Sequence, residues 1–462
     1  AFGLDLSPDL GYPEVTGNDP ENRNWTRATV SHNTVVVDRR SQKSQVVAIP
    51  RHLDETETVK LIDIEAPAVY PQTEMYRRTA ALIRIDEKRS YAVDFFRVKG
   101  GSDHVFSFHA AEGEAAAYGL NLAAQSGGSY AGADVPHKDR PFDESNPQCG
   151  FNYLSGVERD MSPPDKFSVE WRVRDTWKVH KEKRDIRLRL TMLGEADDVA
   201  LADGAPPQNK PGNPRSLRYV LVHRSGERLE SNFTSVLESY EGESSIKEIR
   251  EVPVMARSAA LAPAAAPAAP IEAKAVRVEL NDGRVDYIVS AIDNQRMYEV
   301  DGKFAFQGSF GFVRYRNGRA AYTYMHDGAW IETDVQPAEL KPPSLSGTVV
   351  DFTKELSDTN EMTVRMALPP EMDAERLIGK FIHVETDGVR NGSYEIKSAV
   401  RIGSSAVSSE SGALYRIGVG DITIIRGMND MNDRNLGFIF DIREGALFSI
   451  PLTWETWLSQ QA

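Results

Sequence analysis

Short runs of β-branched and aromatic residues, each closed by glycine, proline, aspartate or a charged turn, recur from one end of the chain to the other. They include Thr34 to Val37, Gln45 to Ile49, Thr79 to Ile85, Tyr91 to Val98 and Val105 to His109, and they continue through Phe167 to Val173, Ile186 to Met192, Arg218 to Val222 and Phe233 to Leu237. Such runs fit a pleated, half-buried surface. Amphipathic helical stretches are scarce, so the sequence predicts an all-β fold: a large antiparallel β-sandwich followed by smaller β-rich modules. Only the last residues, Leu452 to Gln461, are expected to form a short helix.

The chain has 462 residues, enough for about two to four domains. Punctuation sets the expected boundaries. Residues 204–214 carry prolines and glycines that cannot continue a central strand. Residues 259–270 are alanine and proline apart from Leu261, an Ala/Pro composition that makes a semi-rigid linker. The sandwich is therefore expected over 1–258, a β-rich continuation over 271–343, and an accessory β module over 344–462, after Lys341-Pro-Pro. Asn281-Asp-Gly283 and Asn317-Gly318 are hairpin-turn signals.

A net charge of −14 argues against a nonspecific nucleic-acid binder but not against an anionic substrate, because local basic clusters such as Arg77-Arg78 focus a field of their own. No apolar run is long enough to span a membrane as a helix. Cys149 is the only cysteine, which excludes an internal disulfide and a Cys-rich metal site. Residue 1 is Ala and no leader pattern follows it, so a processed or excised chain is expected.

The residues best suited to chemistry lie early. His32 stands at the head of a β-branched run, and His104 and His109 follow, with Asp63 and Asp94 between them. Imidazole and carboxylate are suitable zinc donors, and three protein ligands with an open position make a site. Packed histidines are the alternative. With a period of two along a strand, positions 104 and 109 project to opposite faces, so at most one meets His32 without a bulge. His104, following Gly100-Gly101, is the expected partner, and His109 is expected to pack within the sandwich. Tyr76 beside Arg77 and Arg78 is either an aromatic packed at a strand start or a proton donor whose phenol the guanidiniums depress. Trp25 and Trp177 are platforms for sugar rings. Trp171, alternating with charged residues, is expected in the core.

Gly11-Tyr-Pro13, Trp25, Ser31-His-Asn-Thr34 with Val35 to Asp38, Tyr76-Arg-Arg-Thr79, Val93-Asp94-Phe-Phe-Arg-Val98, Gly100-Gly-Ser-Asp-His104 and Phe108-His109 together resemble the β-sandwich domain of heparinase II/III-like polysaccharide lyases. The likeness extends through Gly150-Phe151, Trp171 and Ser231 to Glu238, about the first half of the chain. It implies a lyase that cleaves uronic-acid-containing acidic polysaccharides by β-elimination. It also implies zinc rather than calcium, held by His32, Asp63 and His104, with His32 either a metal ligand or a catalytic base facing substrate; on the residues themselves, Tyr76 is the candidate catalytic proton donor and Arg77, Arg78 and Trp25 are the candidates for binding substrate. Further implications are a periplasmic or secreted location and an α/α-toroid domain outside this chain that supplies most of the catalytic apparatus; the protein is a monomer or a homo-oligomer. The alternative is a non-catalytic carbohydrate-binding or structural β-sandwich.

Overall fold

Strand Asp103–His109 distributes its side chains in strict alternation, and the sandwich of the first half is built on that parity. Phe106 stacks on Phe233 at 5.6 Å, and Phe108 meets Trp171 at 5.8 Å. The odd positions face the other way: Val105 joins a second core with Val30, Val36 and Leu221, and Ser107 donates to the carbonyl of Val30. In this computed structural model the described residues are 1–15, 19, 21–44, 48–139, 141, 143–257, 266–385, 391–404 and 412–458.

The chain divides into two units. The first comprises Ala1–Gln45, Pro67–Glu251 and Arg277–Gly283, and the second Val46–Ala66, Val252–Val276 and Arg284–Ala462. Most of the expected linker, residues 259–265, lies outside the described residues.

The first unit is an antiparallel sandwich, the fold class that the sequence predicts, but its extent differs from the expected 1–258: Val46–Ala66 belong to the second unit and Arg277–Gly283 to the first. One sheet runs Thr34–Val37, Asp103–His109, Leu217–Ser225, Asp198–Gly204, Ser155–Asp160 and Ala123–Ala124. In the other, neighbours run Met75–Arg84, Ser90–Lys99, Glu230–Glu241, Ile186–Leu193, Lys166–Val173 and Gly113–Tyr118. The outer face of the first sheet is covered by the turns at Asn22–Thr26 and Thr29–Ser31 and by Phe151–Tyr153. Trp25 is the centre of this cover. Its ring lies parallel to Tyr153 at 5.9 Å and tilted against Tyr219 at 5.7 Å, and its indole N–H donates to the carbonyl of Ala205 at 2.8 Å. Gly204 makes room for it, since a Cβ there would come within 2.6 Å of the indole.

The second unit contains a long hairpin, Phe304–Arg316 and Arg319–Glu332, whose turn at Asn317-Gly318 has positive φ at both residues, as a two-residue hairpin requires. Thr453–Trp457 is a strand paired to Tyr322–His326, not the expected helix, because its threonines and tryptophans suit a pleated edge better than a helical turn. A separate core with Leu345, Val364, Ile417 and Ile450 fills the module after residue 344.

Because Trp25 is 1% exposed and holds the cover over one sheet, Trp25→Ala is expected to cost about 3–5 kcal/mol of unfolding free energy. Urea denaturation checks this; a loss below about 1 kcal/mol would mean the cover does not depend on the indole.

Candidate functional site

Three consecutive residues, His32, Asn33 and Thr34, do three different jobs. Ser31 ends a 3₁₀ turn, with its carbonyl accepting the Tyr219 hydroxyl at 3.0 Å and its own hydroxyl donating to Ala28 at 2.7 Å. The backbone is extended at His32, which turns that side chain outward. Its Nδ1 lies 3.0 Å from a carboxylate oxygen of Asp9, with the two side chains 39% and 65% exposed. The carboxamide of Asn33 closes on the end of strand Asp103–His109: its oxygen accepts the His109 N–H at 2.8 Å, and its nitrogen donates to the His109 carbonyl at 3.2 Å and to the Ser7 hydroxyl. Thr34 shares a 2.8 Å hydrogen bond with the Tyr76 hydroxyl.

The expected parity holds, but the partner of His32 is reversed. His109, on the odd face, packs under Ser31 and His32 with its ring 4.6 Å from Tyr219, and burial pushes its pKa down to about 4. His104 sits on the sandwich-interior face. Its Nδ1 pairs with the Ser231 hydroxyl and its Nε2 with the Gly100 carbonyl, both at 2.9 Å, and burial lowers its pKa. In register His104 lies opposite Val37, five residues along the chain from His32 and roughly 15 Å away at strand rise. His32 and His104 therefore do not share one coordination sphere, and Asp63 belongs to the second unit. Among the described residues no group of three or more His, Cys, Asp or Glu is set to hold a metal ion.

Tyr76 is buried beside Tyr70 and Phe96. Its hydroxyl donates to the Val35 carbonyl at 2.6 Å and receives the Gln42 amide at 2.8 Å. Burial outweighs the nearby Arg78, and the phenol is pushed up to about 12, not depressed as its arginine neighbours suggest. Arg78 is itself committed: it grips Asp94 through Nε and a terminal nitrogen at 2.7–3.1 Å, donates to the Asn33 carbonyl at 2.8 Å and covers the Phe96 ring. Arg77 is buried. Trp25, enclosed by Tyr153, Tyr219 and Ala205, offers no face to a sugar, and Trp171 is in the core as expected.

The residue that sequence reasoning missed is Asp9. It has no strand period or motif around it and reaches His32 only because Ser7 and Asn33 pin the N-terminal segment against His109. Asp9 also lines a cleft of 790 Å³ with Tyr12, Arg174, Trp177, Asn209 and Lys210. Trp177 is 56% exposed there.

Residues 3–137 match the family model described as Heparinase II/III-like, C-terminal. The match stops short of the likeness read downstream of Gly150. No curated protein matches the chain. Among solved structures, the chain is similar to a heparinase III with methylated lysines, at 13% identity and TM-score 0.37, covering 63% of this chain and 34% of that one. It is also similar to a mutant of the heparan sulfate lyase HepC from Pedobacter heparinus, at 13% identity and TM-score 0.32, covering 63% and 35%. The chain thus spans about a third of the length of these structures.

The buried neutral His109 makes stability depend on pH. Its folded pKa of about 4 lies below the unfolded value near 6.5, so the unfolded state takes up the proton first, and stability is lost as pH falls from about 6.5 to 4, by roughly 3 kcal/mol. Denaturation midpoints at pH 7 and 4.5 should fall less steeply in His109→Gln than in the unmodified chain; identical slopes would remove His109 as the cause.

Proposed function

Starting from a heparinase II/III-like C-terminal segment at residues 3–137, we propose that the protein is a polysaccharide lyase acting on uronic-acid-containing acidic polysaccharides, with His32 as its proton-transfer residue on the sandwich wall. The observation that carries this is the Asp9–His32 pair. The carboxylate fixes the ring by its Nδ1, and Nε2 has no hydrogen-bond partner among the described residues. An imidazole held this way presents Nε2 as the ring nitrogen open to a substrate proton. In the elimination, Nε2 removes the proton from C5 beside the uronate carboxylate. The C5–H electron pair becomes the C4=C5 double bond, the C4–O bond breaks, and the leaving oxygen takes up the proton that Nε2 has accepted, which restores the neutral imidazole.

Asp9 stabilises the imidazolium that forms. Tyr76 has a different part. Buried under three hydrogen bonds, it positions the His-Asn-Thr segment from beneath through Thr34 and Val35. Arg78 holds the same segment through the Asn33 carbonyl, and neutralisation of the uronate is not assigned to it. The toroid implied by the resemblance would supply the opposite wall, and the reading puts the protein in the periplasm or outside the cell.

The test is the ultraviolet absorbance of unsaturated uronate, followed over a panel of acidic polysaccharides. A product from one of them, lost by about 10²-fold or more in His32→Ala with thermal unfolding unchanged, is the expected result. Absence of product from every polymer, in the full-length protein, would sink the lyase reading and favour a carbohydrate-binding role. Tyr76→Phe should instead lower stability by about 1–2 kcal/mol and leave the pH profile of turnover in place; loss of turnover without loss of stability would return Tyr76 to the chemistry.

A further inference from the structure

The 790 Å³ cleft that Asp9 lines continues along the loop between strands Lys166–Val173 and Ile186–Leu193. A second cleft of 390 Å³ shares Leu4, Val173, Arg174 and Asp175 with the first and is lined by Lys178, Lys181 and Lys183. These lysines and Lys210, on the facing 205–216 loop, are exposed and make no ion pair among the described residues. The arginines of the same surface are different: Arg172, Arg174 and Arg184 are paired with Asp185, Glu112 and Glu241. On a chain of net charge −14, the cationic excess is confined to the smaller cleft, where Lys178, Lys181 and Lys183, together with these arginines, outnumber Glu114, Asp175 and Glu182; the larger cleft is lined by more carboxylates than cations, and Lys210 is its one lysine.

The groove also has a built aromatic face. Gly212, at φ +98°, lies against the indole of Trp177, where a Cβ would come within 2.8 Å of the ring. Only glycine combines that backbone with that approach. The loop carrying Gly212 is braced internally: the Gln208 amide donates to the carbonyls of Pro206 and Pro214, the Asn213 amide to Pro207, and the Asn209 amide to Tyr12. Trp177 is thus supported on one side and more than half exposed, with its orientation fixed before any ligand arrives.

We propose that the loop 174–185 and Lys210 form a binding track for an anionic polysaccharide, in which Trp177 stacks on a sugar ring and Lys178, Lys181, Lys183 and Lys210 take carboxylate or sulfate groups of successive residues. The choice of polysaccharide over other polyanions rests on the lyase reading, whereas the binding itself does not require turnover. Lysines act as point charges on mobile stems, so the track holds the chain by charge density and leaves its register to the stacked ring.

The experiment is binding of a size-defined heparin oligosaccharide and of an alginate oligomer to the full chain at several salt concentrations, read by calorimetry. The expected result is affinity for at least one of the two that weakens as salt rises and is about tenfold or more weaker in the combined Lys178→Gln, Lys181→Gln, Lys183→Gln, Lys210→Gln variant. Trp177→Leu should weaken binding without changing the salt dependence, and neutral dextran should not bind. Equal binding by the lysine variant and the unmodified chain, no binding of either oligosaccharide, or single-stranded DNA binding through the same lysines more tightly than both would overturn the proposal. Lysine-dependent binding that persists in His32→Ala supports it. If such binding is retained while no polymer yields unsaturated product, the track stands and the lyase reading alone fails.

Discussion

The carboxamide of Asn33, which pairs with both the N–H and the carbonyl of His109, is the hinge of the candidate site. A side chain here completes backbone hydrogen bonding where strand Thr34–Val37 has not yet begun, so the chain can leave the sheet at His32 without abandoning His109's polar groups beneath the cover. The same amide reaches Ser7, and that contact brings Asp9 to His32. Loss of the amide would therefore release the strand end, the N-terminal segment and the orientation of the imidazole together. From below, Arg78 holds the Asn33 carbonyl and is itself fixed by Asp94, a bidentate grip whose planar geometry a lysine could not reproduce.

The contrast between the three early histidines follows from burial and not from sequence spacing. His104 and His109 are both buried and both shifted down, so each is a neutral hydrogen-bonding group inside the fold. His223 shows the opposite case in the same sheet. It lies between Asp198 at 2.7 Å and Asp103 at 3.1 Å, and the two carboxylates raise its pKa to about 9 in spite of partial burial. That pair of contacts is stabilising below the unfolded pKa near 6.5 and is lost as pH rises through about 9. Of the three early histidines, His32 alone combines partial exposure with a carboxylate partner.

Much of this was legible in the sequence, and the limits are physical. Strands announced themselves because β-branched runs between turns have few other uses, and Asn317-Gly318 specified its hairpin through the positive φ that both residues adopt. The parity of residues 104 and 109 was equally secure. What parity could not say was which face the cover would occupy, and the turns at 22–31 fell on the odd face, giving His32 the neighbour His109. Commitment of charged groups was also hidden: Arg77-Arg78 looks like a free cationic pair, but Arg78 is spent on Asp94 across a strand pair sixteen positions away in sequence. Trp25 and Trp177 were alike as letters. One was enclosed by Tyr153 and Tyr219 and the other was left standing on Gly212, a difference set by contacts nearly two hundred and some thirty-five residues distant in the chain.

Net charge gives the last constraint. A surface at −14 repels a polyanion at separations within the screening length, about 8–10 Å at physiological salt, so a uronate polymer needs a local reason to approach. Arginines that are already paired with Glu112, Asp185 or Glu241 contribute little to that field, because each is nearly cancelled at short range. Unpaired lysines are not cancelled. They stand on the loop that borders the Asp9 cleft and not around Arg78, so the unpaired cations and the Asp9–His32 pair belong to different parts of the wall.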